Sequence, residues 1–222
     1  MQTPSTKPKA WIWLAVLMPV AAIGTVALLL GLGLVFNASG RSEPLSEQER
    51  ALLLDIDHLA RWMDGYLPDA AGGSAVKTRF LDDSYGIEYV YDVPGEDDAP
   101  YLVYSITFEG SESEATATYL SRLGGTEIGF FVGEGNTDVK ESNELFRWGD
   151  QSTFALLMAQ GRPSGNVFVA RSGTRVVYLM IAGLYFDDAQ SIEQLLLPYL
   201  NELLVPVVLL PLGEGGPQRE FI

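Results

Sequence analysis

The chain has 222 residues, 47% of them hydrophobic, with 14 basic and 29 acidic side chains, one histidine and no cysteine. Its net charge of −15 repels phosphate backbones and anionic headgroups, which argues against nucleic-acid binding and against peripheral adhesion to acidic lipid. Without cysteine there is no disulfide, no thiol chemistry and no lipid-modified N-terminal Cys, so burial must stabilise the fold unaided.

Residues 1–10, with Lys7 and Lys9, read as a cytoplasmic tail. Residues 11–36 form 26 consecutive positions without a charge, WIWLAVLMPVAAIGTVALLLGLGLVF. A helix of that length covers roughly 39 Å, more than the ~30 Å hydrocarbon core it has to cross. A secretory signal has a shorter apolar region of about 7–15 residues and a small-x-small cleavage site, which Phe36-Asn37-Ala38 matches poorly. The run therefore reads as a retained transmembrane helix and signal anchor, a single-pass contact with the lipid bilayer. Basic flanks stay inside, so residues 37–222 are expected outside, in the periplasm or at the cell exterior. Ala27 and Gly31 give a small-residue stripe suited to a homodimer through the membrane.

A polar tether, 37–45, leads to an extracytoplasmic domain over 46–212. Without Lys7 and Lys9, 12 basic residues face 29 acidic ones, a charge of −17. Ser46 and Glu49 form a capping-box pattern, and Leu52, Ile56, Leu59, Met63 and Tyr66 recur at helical spacing, predicting a helix over 47–66. The period then changes to two. Strands are predicted near 76–80 and 87–93, a turn at 94–98, and a strand at 101–109. Ser111 and Glu114 open a second helix that Gly124-Gly125 should end near 123.

Residues 127–132 look like a strand, 133–144 like a polar loop and 145–148 like another short strand. Strands follow at 154–159, 166–171 and 174–183, the last two joined by a tight turn at Ser172-Gly173. Asp187-Asp188 cap a final helix over 189–204. Pro206 and Pro211 forbid a spanning helix in VPVVLLPL, which should lie extended against the domain, with 213–222 a flexible tail.

Residues 101–120 and 176–196 share one plan of buried strand, acidic capping turn and amphipathic helix. An internal duplication explains the echo, and so does any antiparallel sheet with helices packed on it. The whole order predicts an α+β domain, a mostly antiparallel sheet packed against helices, behind the membrane helix. The strand–helix echo and the Gly149-Asp150-Gln151 entry into the late strands resemble small exported bacterial α+β domains of the PsbP and LpqN-like kind, over about 75–204. That resemblance implies the fold and an envelope location, and carries over no functional residue.

The catalytic signatures are missing. There is no Gly-x-Ser-x-Gly elbow, Walker loop or His-Glu-x-x-His, and His58 would have to serve any triad alone. With one His and no Cys, no metal site, catalytic residue or cofactor is assigned. In 134–138 the oxygen donors alternate as in a calcium loop, but Val139 and Leu145 stand where that loop needs Gly and Glu. Asp82-Asp83, Glu96-Asp97-Asp98 and Asp187-Asp188 fall at turns and helix starts, where carboxylates accept backbone N–H groups. Tyr89, Tyr91, Tyr101 and Tyr104 lie on neighbouring strands, either as a partner surface or as cross-strand packing. The expectation is a non-enzymatic interaction domain with a protein partner. The alternatives are a small-ligand carrier and a hydrolase using carboxylates alone.

Overall fold

Eight strands pair into one sheet in the order β1-β2-β3-β4-β8-β7-β6-β5, every neighbour antiparallel. They are β1 Arg41–Glu43, β2 Gly73–Arg79, β3 Tyr85–Tyr91, β4 Tyr101–Phe108, β5 Thr137–Glu141, β6 Gln151–Ala159, β7 Arg162–Ser172 and β8 Arg175–Ala182. The helices are α1 Glu47–Ala51, α2 Ile56–Ala60, α3 Glu112–Val132 and α4 Ala189–Glu202. This computed structural model describes residues 40–63, 66–96, 99–132 and 137–204.

Two four-stranded meanders meet at the β4–β8 pair, the sheet centre. Alternation sets the two faces. Ile87, Tyr91, Leu102, Tyr104, Ile106, Phe168, Val177, Leu179 and Ile181 point to one side, where the link between α1 and α2 covers them with Leu53 and Leu54, α2 with Leu59, and α4 with Ile192, Leu196 and Leu200. On the other side α3 lays Ala115, Tyr119 and Leu123 on Leu157, Val167, Val169 and Val176. A two-fold axis normal to the sheet that exchanged the meanders would put α3 and α4 on the same face. They lie on opposite faces, so sheet architecture accounts for the strand–helix echo.

The expected α+β domain behind a transmembrane helix is corrected. The sheet gains strands at both edges while the helical content shrinks, giving a sheet-rich domain with few helices. No helix among the described residues is long and apolar enough to cross a membrane. The run 11–36, and with it Ala27 and Gly31, lies outside the described residues.

Each local difference has a physical reason. The helix expected over 47–66 is two single turns, because Asp55 caps a new start by accepting from the His58 N–H. The break buries the adjacent Leu53 and Leu54 together with Ile56, positions that one uninterrupted helix would spread around its circumference. The second helix runs on through Gly124-Gly125, replacing the strand expected at 127–132. Neither glycine takes the positive φ of a C-cap, and both sit in open space. Residues 145–148 are irregular, and the strand lies earlier, at Thr137–Glu141. The supposed tether contains β1.

Candidate interaction surface

α3 packs on the β5–β8 half of the sheet, on β5, β7 and β8 and, through Thr153 and Leu157, on β6. The same face of β2, β3 and β4 therefore carries no helix from the described residues, and its side chains stand in three rows set by the strand register. Ser74, Val90 and Val103 form one row, Val76, Glu88 and Ser105 the next, and Thr78, Gly86 and Thr107 the third, the rows running on at β8 into Met180, Tyr178 and Val176, which pack with α3. Tyr101 stands beyond the first row on β4. Val90, Val103, Tyr101 and Met180 are half-buried, and Val76 is 38% exposed.

The strip is apolar in its first row, hydroxyl-bearing in the middle and small in the third. Glu88 is its one charge. Ser105 and Thr107 are buried, and the Ser105 Oγ has no hydrogen-bond partner among the described residues. Partial burial pushes the Tyr101 phenol up, and Asp92 adds to this, so Tyr101 stays a neutral hydroxyl over the physiological range.

Of the four tyrosines singled out by sequence, only Tyr101 belongs to this strip. Tyr89, Tyr91 and Tyr104 point to the helix-covered face, and Tyr91 and Tyr104 are fully buried. The Tyr91 hydroxyl is 2.7 Å from the Tyr66 hydroxyl and accepts from the Asp69 N–H at 3.1 Å. Tyr89 accepts from the Ile56 N–H at 3.4 Å. Burial drives the Tyr104 phenol far up, beside the ring of Tyr199. Sequence reasoning missed Val76, Val90, Val103, Ser105 and Thr107. The two-residue period was visible, but nothing in it says which face the helices take.

The remaining candidates are occupied by structure. His58 lies 2.6 Å from Asp55 through Nδ1, and its ring edge meets Tyr199 at 5.3 Å, which fastens α2 to α4. A solvent-open depression of about 500 Å³ is lined by Tyr119, Asn143, Arg147 and residues 149–152. Its polar groups are spent on the loop. Asn143 Oδ1 accepts from Phe154 N–H, Asp150 Oδ2 from Gly173 N–H, and Ser152 Oγ from Trp148 N–H. Asp82 and Asp188 accept from the backbone N–H groups of Ser84 and Ser191. No group of three or more His, Cys, Asp or Glu side chains that could hold a metal exists among the described residues. Glu134 to Asn136 of the calcium-like stretch lie outside them.

No protein-family model, curated protein or solved structure matches the chain.

Proposed function

We propose that the protein is a non-enzymatic binding domain of a bacterial envelope, working on the outer side of the cytoplasmic membrane through the strip on β2–β4. One observation carries this reading. One face of the sheet is covered by helices over its centre and by Phe146 and Trp148 over β6 and β7, whereas α3 covers the other only over β5–β8, leaving Val76, Val90, Tyr101 and Val103 beside a desolvated, unpaired Ser105 hydroxyl. A row of apolar side chains rimmed by hydroxyls suits a protein partner, with shape and area at the centre and polar groups outside. The acidic surface selects against acidic partners and favours neutral or basic ones. Location rests on the sequence, on the run 11–36 with Lys7 and Lys9 before it and acidic residues after it.

The test is photo-crosslinking in intact cells from the full-length protein. A photo-reactive side chain at Val90 or Val103 should capture one common partner, and one at Val139 on the opposite edge should not. Val103→Asp should abolish capture from position 90 without altering expression. Capture that is equal from all three positions, or unaffected by Val103→Asp, would overturn the proposal.

A further inference from the structure

We propose that the protein partner presents two basic side chains on either side of an apolar one, seating one cation on Glu88 and Ser105 and the other at Asp92. The inference rests on the reading of the strip as the working surface, to which it adds the chemistry of the partner.

Glu88 is a carboxylate without a structural task. Elsewhere the acidic side chains are in use: Glu43 and Glu49 pair with Lys77 and Arg79, Asp82 and Asp188 accept from backbone N–H groups, and Asp150 accepts from Gly173. Glu88 stands half-buried in the middle of β3, with no ion pair or hydrogen bond among the described residues. Its cross-strand neighbours are Val76 and Ser105, which bring no positive charge. Lys77 and Arg79 on β2 stand opposite Ile87 and Tyr85, so alternation turns them to the helix-covered face. Glutamate is depleted in strands, and here nothing in the fold offsets its cost.

Ser105, directly opposite Glu88, is 3% exposed and its Oγ has no partner among the described residues. The carboxylate only accepts, and the hydroxyl accepts through its lone pairs. A group that satisfies both oxygens together has to donate more than one hydrogen bond, and beside a carboxylate a positive charge strengthens them. Ammonium and guanidinium groups meet both conditions. Tyr178, on the far side of Ser105, already has Arg122 over its ring at 5.4 Å, so it walls this seat and leaves the cation to Glu88 and Ser105.

Asp92 gives the spacing. It follows β3 directly, its N–H donates to the Gly72 carbonyl at 3.0 Å, and its charge acts on the Tyr101 phenol, which places it at the Tyr101 end of the strip. It is exposed and has no ion pair among the described residues. Four residues of strand separate it from Glu88, roughly 13 Å. Val90 lies between the two carboxylates and Val103 opposite Val90, so the ground between the cations is apolar.

The test is made in intact cells with the full-length protein and a photo-reactive side chain at position 103. Glu88→Gln keeps the shape and removes the charge, and should lower capture of the partner about fivefold or more. Glu88→Lys should reduce capture to background, and Glu88→Asp should keep most of it. All three variants should melt at the wild-type Tm. Mass spectrometry of the captured peptide should find Lys or Arg on both sides of the attachment point, about two residues away in an extended segment and about four in a helix. Capture unchanged by Glu88→Gln, or a captured peptide without flanking basic residues, would overturn this inference while Val103→Asp still abolishes capture from position 90 and the binding reading stands. A loss of capture matched by a fall in Tm of more than a few degrees would make Glu88 structural and overturn it too. No common partner from positions 90 and 103 would overturn both readings.

Discussion

The Asn166 side-chain amide and the Phe186 backbone exchange two hydrogen bonds, Nδ2 donating to the Phe186 carbonyl at 3.0 Å and Phe186 N–H donating to Oδ1 at 2.7 Å. Both residues are buried. The exchange pins the connection between β8 and α4 onto β7, and it places the Phe186 ring edge-on to Trp62 at 5.4 Å. Asn166→Leu leaves a donor and an acceptor buried without partners, at a cost of about 2–4 kcal/mol. Urea unfolding should show a lower midpoint with an unchanged slope. A shift smaller than about 0.5 kcal/mol would mean that this connection is not held by the amide.

Gly149 takes φ +73, and a Cβ there would lie 2.3 Å from the Arg171 carbonyl oxygen. Two costs coincide, left-handed backbone and a clash with a group that already accepts from Asp150 N–H at 2.7 Å. Gly149→Ala should destabilise by about 2–3 kcal/mol, lowering Tm by roughly 4–10 °C. Gly124→Ala should do the reverse, since that glycine is helical in open space and alanine favours the helix by up to about 1 kcal/mol. Scanning calorimetry of the two variants separates a required glycine from a tolerated one.

Acid should loosen the start of the domain. Lys77 Nζ lies 2.7 Å from Glu49 and 3.7 Å from Glu43, and Arg79 Nε lies 3.0 Å from Glu43, so α1 and β1 are held to β2 by charge. Hydrogen bonding and charge from Arg79 hold the Glu43 carboxyl below the usual carboxylate range. Partial burial pushes Glu49 up, but Lys77 and the Ser46 cap outweigh it and the net direction is down. A lowered folded pKa gives stability that is present above the unfolded value of about 4.5 and lost as pH falls through the folded one. Amide protection at Arg41–Glu43 should drop below that pH before the β4–β8 centre is affected. Lys77→Met should flatten the dependence, and an unchanged profile would count against the clip.

Alkali should act later and elsewhere. Burial, then the Tyr91 hydroxyl, pushes Tyr66 up to about 12, and burial, then Asp55, pushes Tyr199 up to about 12. A raised phenol contributes stability that is complete below its unfolded value near 10 and lost as pH rises through about 12. Absorbance at the phenolate band should therefore show an early set of tyrosines and a late step coinciding with unfolding. Tyr199→Phe should reduce the late step. A single transition near 10 would show these phenols to be solvated.

What the sequence makes legible is what local chemistry decides. The Ser46–Glu49 capping box, the Asp188 cap and the Ser111–Glu114 pair all form as their spacing implies. The long apolar strands β4 and β8 and the turn at Ser172-Gly173 need no partner to be recognised. β1 and β5, RSE and TDVKE, are strands because β2 and β6 offer them an edge, and three to five mostly polar residues carry no trace of that. The break at Leu52 to Asp55 answers to the tertiary need to bury Leu53 and Leu54. For the same reason the interaction strip was out of reach. Alternation separates Tyr101 from Tyr104, but only the placement of α3 and α4 decides which of them meets solvent.

The early strand β1 also sets a leash. Four residues, 37–40, separate the apolar run from Arg41, a contour of at most about 14 Å. If the run 11–36 is held in a bilayer as proposed, a domain on so short a link could not tumble freely: its β1 edge would stand against the headgroups, with the sheet rising beside them like a hull on a short mooring. The strip on β2–β4 would then look sideways along the membrane plane, within reach of neighbours embedded in the same leaflet and poorly placed for anything arriving from far outside.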